Sequence, residues 1–90
     1  LDIRGANYNV NPNTGVRGAE TNLLAPTLGS TGFDIGGTNV SVNGFNIVGG
    51  LAGFDLTGSS NADVLNNIMS GQALYGVYGV SLANTEVRNN

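Results

Sequence analysis

The stretch Thr38-Asn-Val-Ser-Val-Asn-Gly-Phe-Asn-Ile-Val-Gly49 is repeated with substitutions by Ser60-Asn-Ala-Asp-Val-Leu-Asn-Asn-Ile-Met-Ser-Gly71. It is begun a third time by Ala83-Asn-Thr-Glu-Val-Arg-Asn-Asn90. Aligned, the copies place Val42, Val64 and Val87 in one column, Phe45, Asn67 and Asn90 in a second, and Ile47 with Met69 in a third. The steps are 64 − 42 = 22 and 87 − 64 = 23 residues. Gly32-Phe-Asp-Ile35, Gly53-Phe-Asp-Leu56 and Gly76-Val-Tyr-Gly79 keep the same beat, which aligns Phe33, Phe54 and Val77. A repeat of this length marks units stacked in a line, each burying an apolar face that it cannot bury alone.

Composition agrees with that reading. Ninety residues allow one domain with a thin core. Fifteen Gly stand beside only three cationic and six acidic side chains, yet the hydrophobic share is 40%, which argues against disorder. Gly and Asn punctuate short Val, Ile and Phe runs, a strand-rich pattern, and no apolar i, i+3, i+4, i+7 spacing persists long enough to predict a helix. The net charge of −3, with Arg4, Arg17 and Arg88 the only cations, supplies no basic patch for nucleic acid or an anionic membrane. With no Cys and no His, disulfides, thiolate chemistry, imidazole triads and histidine metal sites are excluded. No apolar run approaches the ~18 residues of a membrane helix.

In chain order, Leu1-Asp-Ile-Arg-Gly-Ala6 alternates as Val40-Ser-Val-Asn-Gly-Phe45 does, so Leu1 and Ile3 are expected to point inward with Val40 and Val42. Residues 7–20 are dense in Asn, Pro and Gly and read as a surface loop inserted into the first coil. Thr21 to Leu24 resumes an extended segment, a turn is expected at Pro26 and across Gly29 to Gly32, and Phe33 to Ile35 forms a short strand. Gly44, Asn66 and Asn89 share a bend position, and these residue types accept a left-handed conformation. The domain reading is a single unit, 1–90: an irregular part at 1–37 carrying the loop, coils at 38–60 and 61–83, and the start of a further coil at 84–90.

The phrase from Gly5 to Glu20, followed by Val40-x-Val-x-Gly-Phe-x-Ile47 and Val64-x-Asn-Asn-x-Met69, resembles right-handed parallel β-helix proteins of the pectin-lyase-like class. Within that class it is similar to the start of the helix in secreted bacterial surface proteins. The resemblance implies an all-β, right-handed parallel β-helix of about four coils, located outside the cell or on its surface. It also implies that Phe45, Asn67 and Asn90 stack inside the bend, with a ladder of amide hydrogen bonds beginning at Asn67. The class hosts lyases, hydrolases, adhesins and plain scaffolds, so it does not select a function.

Asp34, Asp55 and Tyr78 fall in one outward column, where successive coils bring the two carboxylates to about one strand spacing, ~4.8 Å. A Ca²⁺ ion or a shared proton would relieve that pair. A solvated, splayed pair is the plainer account, because calcium takes about six to eight oxygens. Lyases of the resembled class pair calcium-bound acids with a basic residue; this chain has no Lys, and no residue carries over as catalytic. Asp63 and Glu86 form a second acidic column, with Arg88 placed to pair with Glu86 on the surface. Tyr75 and Tyr78, with Tyr8, are the candidates for stacking on sugar rings.

The chain opens at Leu1 and stops at Asn90 just after a bend, so we expect either a segment of a longer helix or copies that stack on one another through their coil ends. The functional expectation is a structural solenoid, forming filaments or the shaft of a surface protein, with copies of itself as partner. The alternative is a carbohydrate-binding or polysaccharide-degrading module.

Overall fold

The computed structural model describes residues 1–25, 27 and 29–90; the turn expected at Pro26 lies outside them. Ten short strands run through the described residues: β1 (Asp2–Arg4), β2 (Thr21–Ala25), β3 (Thr31–Asp34), β4 (Ser41–Asn43), β5 (Phe45–Gly49), β6 (Ala52–Asp55), β7 (Asp63–Leu65), β8 (Ile68–Ser70), β9 (Tyr75–Tyr78) and β10 (Glu86–Arg88). They form three sheets with orders β1-β4-β7-β10, β2-β5-β8 and β3-β6-β9, here the first, second and third sheets. Every strand pairing is parallel. Parallel neighbours need a long connection, and here the connection is the rest of a circuit through the other two sheets. The fold is therefore all-β, without helices among the described residues, and is compatible with the expected β-helix.

The registers place residues one circuit apart side by side. In the first sheet Ile3, Val42, Val64 and Val87 form one file. Leu23, Ile47 and Met69 do so in the second, and Phe33, Phe54 and Val77 in the third. Side chains alternate across a strand, so these files converge on the interior while their sequence neighbours face out. Val42, Ile47, Phe54, Leu56 and Val64 have no exposed surface. Each such side chain contributes about 1.5–3 kcal/mol by leaving water. The Phe33 ring stacks on Phe54 at 5.2 Å and meets Phe45 edge-on at 5.2 Å, which joins the third sheet to the second. Leu1, expected to point inward beside Val40, instead lies on the rim of the stack beyond β1 and is 79% exposed.

Two series of left-handed residues turn the corners. Gly44 (φ 90°) and Asn66 (φ 56°) lead from the first sheet to the second, and Asn89 (φ 57°) holds the same left-handed place after β10, as expected from their shared column. Asn39 (φ 57°), Asn61 (φ 52°) and Asn84 (φ 51°) precede the first sheet at each circuit. Asn is favoured at both because its short polar side chain tolerates a conformation that costs other L-residues about 1–2 kcal/mol.

Candidate functional site

The bend between the first and second sheets carries the densest polar chemistry. Asn67 is fully buried; its Oδ1 accepts the Phe45 N–H at 2.9 Å and its Nδ2 donates to the Val42 carbonyl at 3.1 Å. One circuit later Asn90 repeats the arrangement, accepting from the Asn67 N–H at 2.9 Å and donating to the Val64 carbonyl at 2.8 Å. Each amide thus staples the backbone on both sides of the preceding bend. The expected amide-to-amide ladder is not formed. Phe45 gives Asn67 no amide to meet, and the Asn67 oxygen and nitrogen are both committed to backbone before Asn90 is reached.

Residues 7–20 lie on the surface as a loop docked against the stack. Arg17 turns inward from it, with a side chain only 8% exposed, and pairs with Glu20 at 2.7 Å. Its Nη1 donates to the carbonyls of Val10 at 2.7 Å and Asn66 at 2.8 Å, and its Nη2 to that of Phe45 at 3.4 Å. One guanidinium therefore ties the loop to bend carbonyls in the second and third circuits. The hydrogen bond from Arg17 holds the Glu20 carboxyl below its ordinary pKa. Asn7, also buried, closes the loop from within by accepting from the Gly18 N–H at 2.9 Å and donating to the Ala19 carbonyl at 3.2 Å.

Docking of the loop buries a residue of an outer column. Asn43 belongs to the outer column Arg4, Asn43, Leu65 and Arg88, yet it is 2% exposed. The loop covers it: Asn43 Oδ1 accepts from the Asn9 N–H at 2.9 Å and from Asn66 Nδ2 at 3.1 Å, and Asn43 Nδ2 donates to Asn9 Oδ1 at 2.9 Å. Gly44 permits the close approach, since a Cβ there would collide with the backbone of Asn7 and Tyr8. Among the described residues no buried side-chain nitrogen or oxygen lacks a partner. Arg17, Asn7 and Asn43 were not singled out from sequence; the only local hint was Arg17 with Glu20 three residues on.

The outer columns lie as follows. Asp34 is the register partner of Asp55, and Asp55 that of Tyr78. Asp55 Oδ1 accepts from the Thr57 hydroxyl at 2.7 Å and the Thr57 N–H at 3.0 Å; these hydrogen bonds, the hydroxyl's first, hold the Asp55 pKa below its ordinary value. Among the described residues no group of three or more Asp, Glu, His or Cys could hold a metal ion, and no pocket opens. Tyr75 and Tyr78 bring their rings to 4.9 Å, both partly exposed, whereas Tyr8 lies apart from that pairing, beneath the Arg4 guanidinium at 4.2 Å. Glu86 pairs with Arg88 at 3.1 Å, and Asp2 with Arg4 at 2.8 Å, in the same two outer columns of the first sheet.

Among the described residues the three sheets run from β1, β2 and β3 to β10, β8 and β9. The last circuit leaves Leu74, Tyr75, Val80, Leu82 and Val87 between 41% and 66% exposed, whereas Val42, Ile47, Phe54 and Leu56 in the middle circuit are fully buried. Compared with known proteins, the chain matches no family model, no curated protein and no solved structure.

Proposed function

We propose that this chain is a structural module, a right-handed parallel β-solenoid that builds length by stacking end to end on copies of itself, as a filament or as the shaft of a surface protein. The observation that carries the reading is the regular parallel stack itself, in which each circuit lays its strands on the one before and continues the same inner files. A stack of this kind lengthens by adding further parallel strands to each sheet, because every strand pairs its N–H and C=O groups with the neighbour one circuit away. The polar groups of the interior support the same reading: Asn7, Asn43, Asn67 and Arg17 are spent on holding backbone in place. A location outside a bacterial cell or on its surface follows the resemblance to secreted β-helix proteins. Size-exclusion chromatography with light scattering, over a wide concentration range, and electron microscopy test the proposal. Growing elongated species are expected, and a monodisperse monomer at high concentration refutes it.

A second reading, binding of a polysaccharide, is favoured by the paired Tyr75 and Tyr78 rings. It predicts retention on a glycan array that Tyr75→Ala and Tyr78→Ala abolish, and no retention ends it.

A further inference from the structure

We infer that Asn43-Gly44 is a self-modification site held shut by the docked loop: when the loop lifts, the Asn43 side chain loses its amide nitrogen as ammonia, and the acid left in its place keeps the loop from docking again.

This is the only Asn-Gly step in the chain. Glycine carries no Cβ to shield its nitrogen. In an open chain the Gly44 nitrogen attacks Asn43 Cγ, closes a five-membered succinimide and expels ammonia. Water then opens the ring at one carbonyl to give aspartate, or at the other to give isoaspartate. Water enters and ammonia leaves, so the step needs no oxidant, reductant or enzyme.

The fold withholds both reacting groups. Asn43 is 2% exposed; its Oδ1 accepts from the Asn9 N–H and from Asn66 Nδ2, and its Nδ2 donates to Asn9 Oδ1. Held this way, the side chain cannot swing toward its own main chain. The Gly44 N–H is committed as well, donating to the Leu65 carbonyl at 3.3 Å. Two of the three contacts on Asn43 come from Asn9, in the loop that Arg17 and Glu20 hold down. Reaction therefore waits for local opening of the loop, and its rate is the open-chain rate multiplied by the open fraction.

The product does not fit the closed site. Aspartate at position 43 sets a carboxylate oxygen where Nδ2 met Asn9 Oδ1 at 2.9 Å, so two acceptors face each other in a buried place. The nearby cations are already engaged: Arg4, the register partner of Asn43, pairs with Asp2 and lies over the Tyr8 ring, and Arg17 pairs with Glu20. Isoaspartate adds an atom to the main chain beside Gly44, where even a Cβ would collide with the backbone of Asn7 and Tyr8.

Peptide mass spectrometry during incubation in mildly alkaline buffer reads the conversion of amide to acid at Asn43. The folded chain is expected to react roughly a hundredfold more slowly than the same chain in urea, the ratio set by opening three hydrogen bonds. Asn9→Gly keeps the left-handed position (φ 60°) and removes one contact, and Arg17→Ala frees the loop. Each should raise the rate severalfold while circular dichroism stays that of the folded chain. Trypsin reads the release. The chain has no Lys, and the Arg17 side chain is only 8% exposed, so brief digestion should cut the unaltered protein after Arg4 and Arg88 alone. Asn43→Asp and the aged protein should be cut after Arg17 too. Equal rates with and without urea, which need no variant to measure, or folded variants no faster than the unaltered chain, overturn the guard. An Asn43→Asp chain as resistant at Arg17 as the unaltered one overturns the lasting release.

Discussion

Replacing Asn67 by Ala isolates the contribution of the bend staple. The substitution strips the acceptor from the Phe45 N–H and one donor from the Val42 carbonyl, where Asn67 and Val42 have no exposed surface and Phe45 is 8% exposed. A buried N–H left without a partner costs about 1–3 kcal/mol, and losing the second hydrogen bond about 1 kcal/mol, so Asn67→Ala is expected to cost roughly 2–4 kcal/mol. Against the 5–15 kcal/mol that holds a typical domain together, that is a large fraction, read as a lower urea midpoint at unchanged slope. Asn90→Ala is the matched control. Asn90 makes the same two contacts and a third to the Arg88 carbonyl, but its own side chain is exposed, so its removal opens a path by which water reaches the freed groups. Its cost is expected to be about 1 kcal/mol or less. Asn67→Asp adds a second reading: one carboxylate oxygen still accepts from Phe45, but the other then faces the Val42 carbonyl. Burial and that carbonyl raise the folded pKa of the new acid, so this variant is most stable at low pH and weakens as pH rises through the folded value. If Asn67→Ala costs no more than Asn90→Ala in urea titrations, burial of the staple is not what gives it its strength, and the reasoning fails.

Two further outcomes are expected. The Glu20 carboxyl, held low by its hydrogen bond from Arg17, stabilises the docked loop fully above the unfolded carboxyl value of about 4.3, and that stability is lost as pH falls through the lower folded value. Glu20→Gln should flatten this acid limb of the stability profile, and an unchanged limb would place the effect elsewhere. At the outer corner, Asn61 (φ 52°) is exposed, so Asn61→Gly should leave thermal stability nearly unchanged, while Asn61→Val should cost about 1–2 kcal/mol. Equal melting temperatures for the two variants would contradict the left-handed corner.

How much of this was legible beforehand divides along a physical line. The files Val42, Val64, Val87 and Phe33, Phe54, Val77, the Asp34 and Asp55 column, and the bend at Gly44, Asn66 and Asn89 could all be read from spacing. In a chain that winds through the same sheets repeatedly, residues one circuit apart become neighbours, and period-two alternation assigns each to a face. The left-handed corner at Asn39, Asn61 and Asn84 was present in the same aligned columns and needed only the further step of asking why Asn recurs there.

What the amino-acid order settled by itself was therefore the periodic part: strand-rich repeats of 22 and 23 residues, their inner and outer faces, and the absence of thiol and imidazole chemistry. The tertiary structure alone decided the aperiodic part. Arg17 reaching the Asn66 carbonyl across 49 positions and the burial of Asn43 beneath the loop leave no repeat in the sequence. They depend on where a single inserted loop comes to rest, and on which hydrogen-bonding groups happen to lie within about 3 Å once it does.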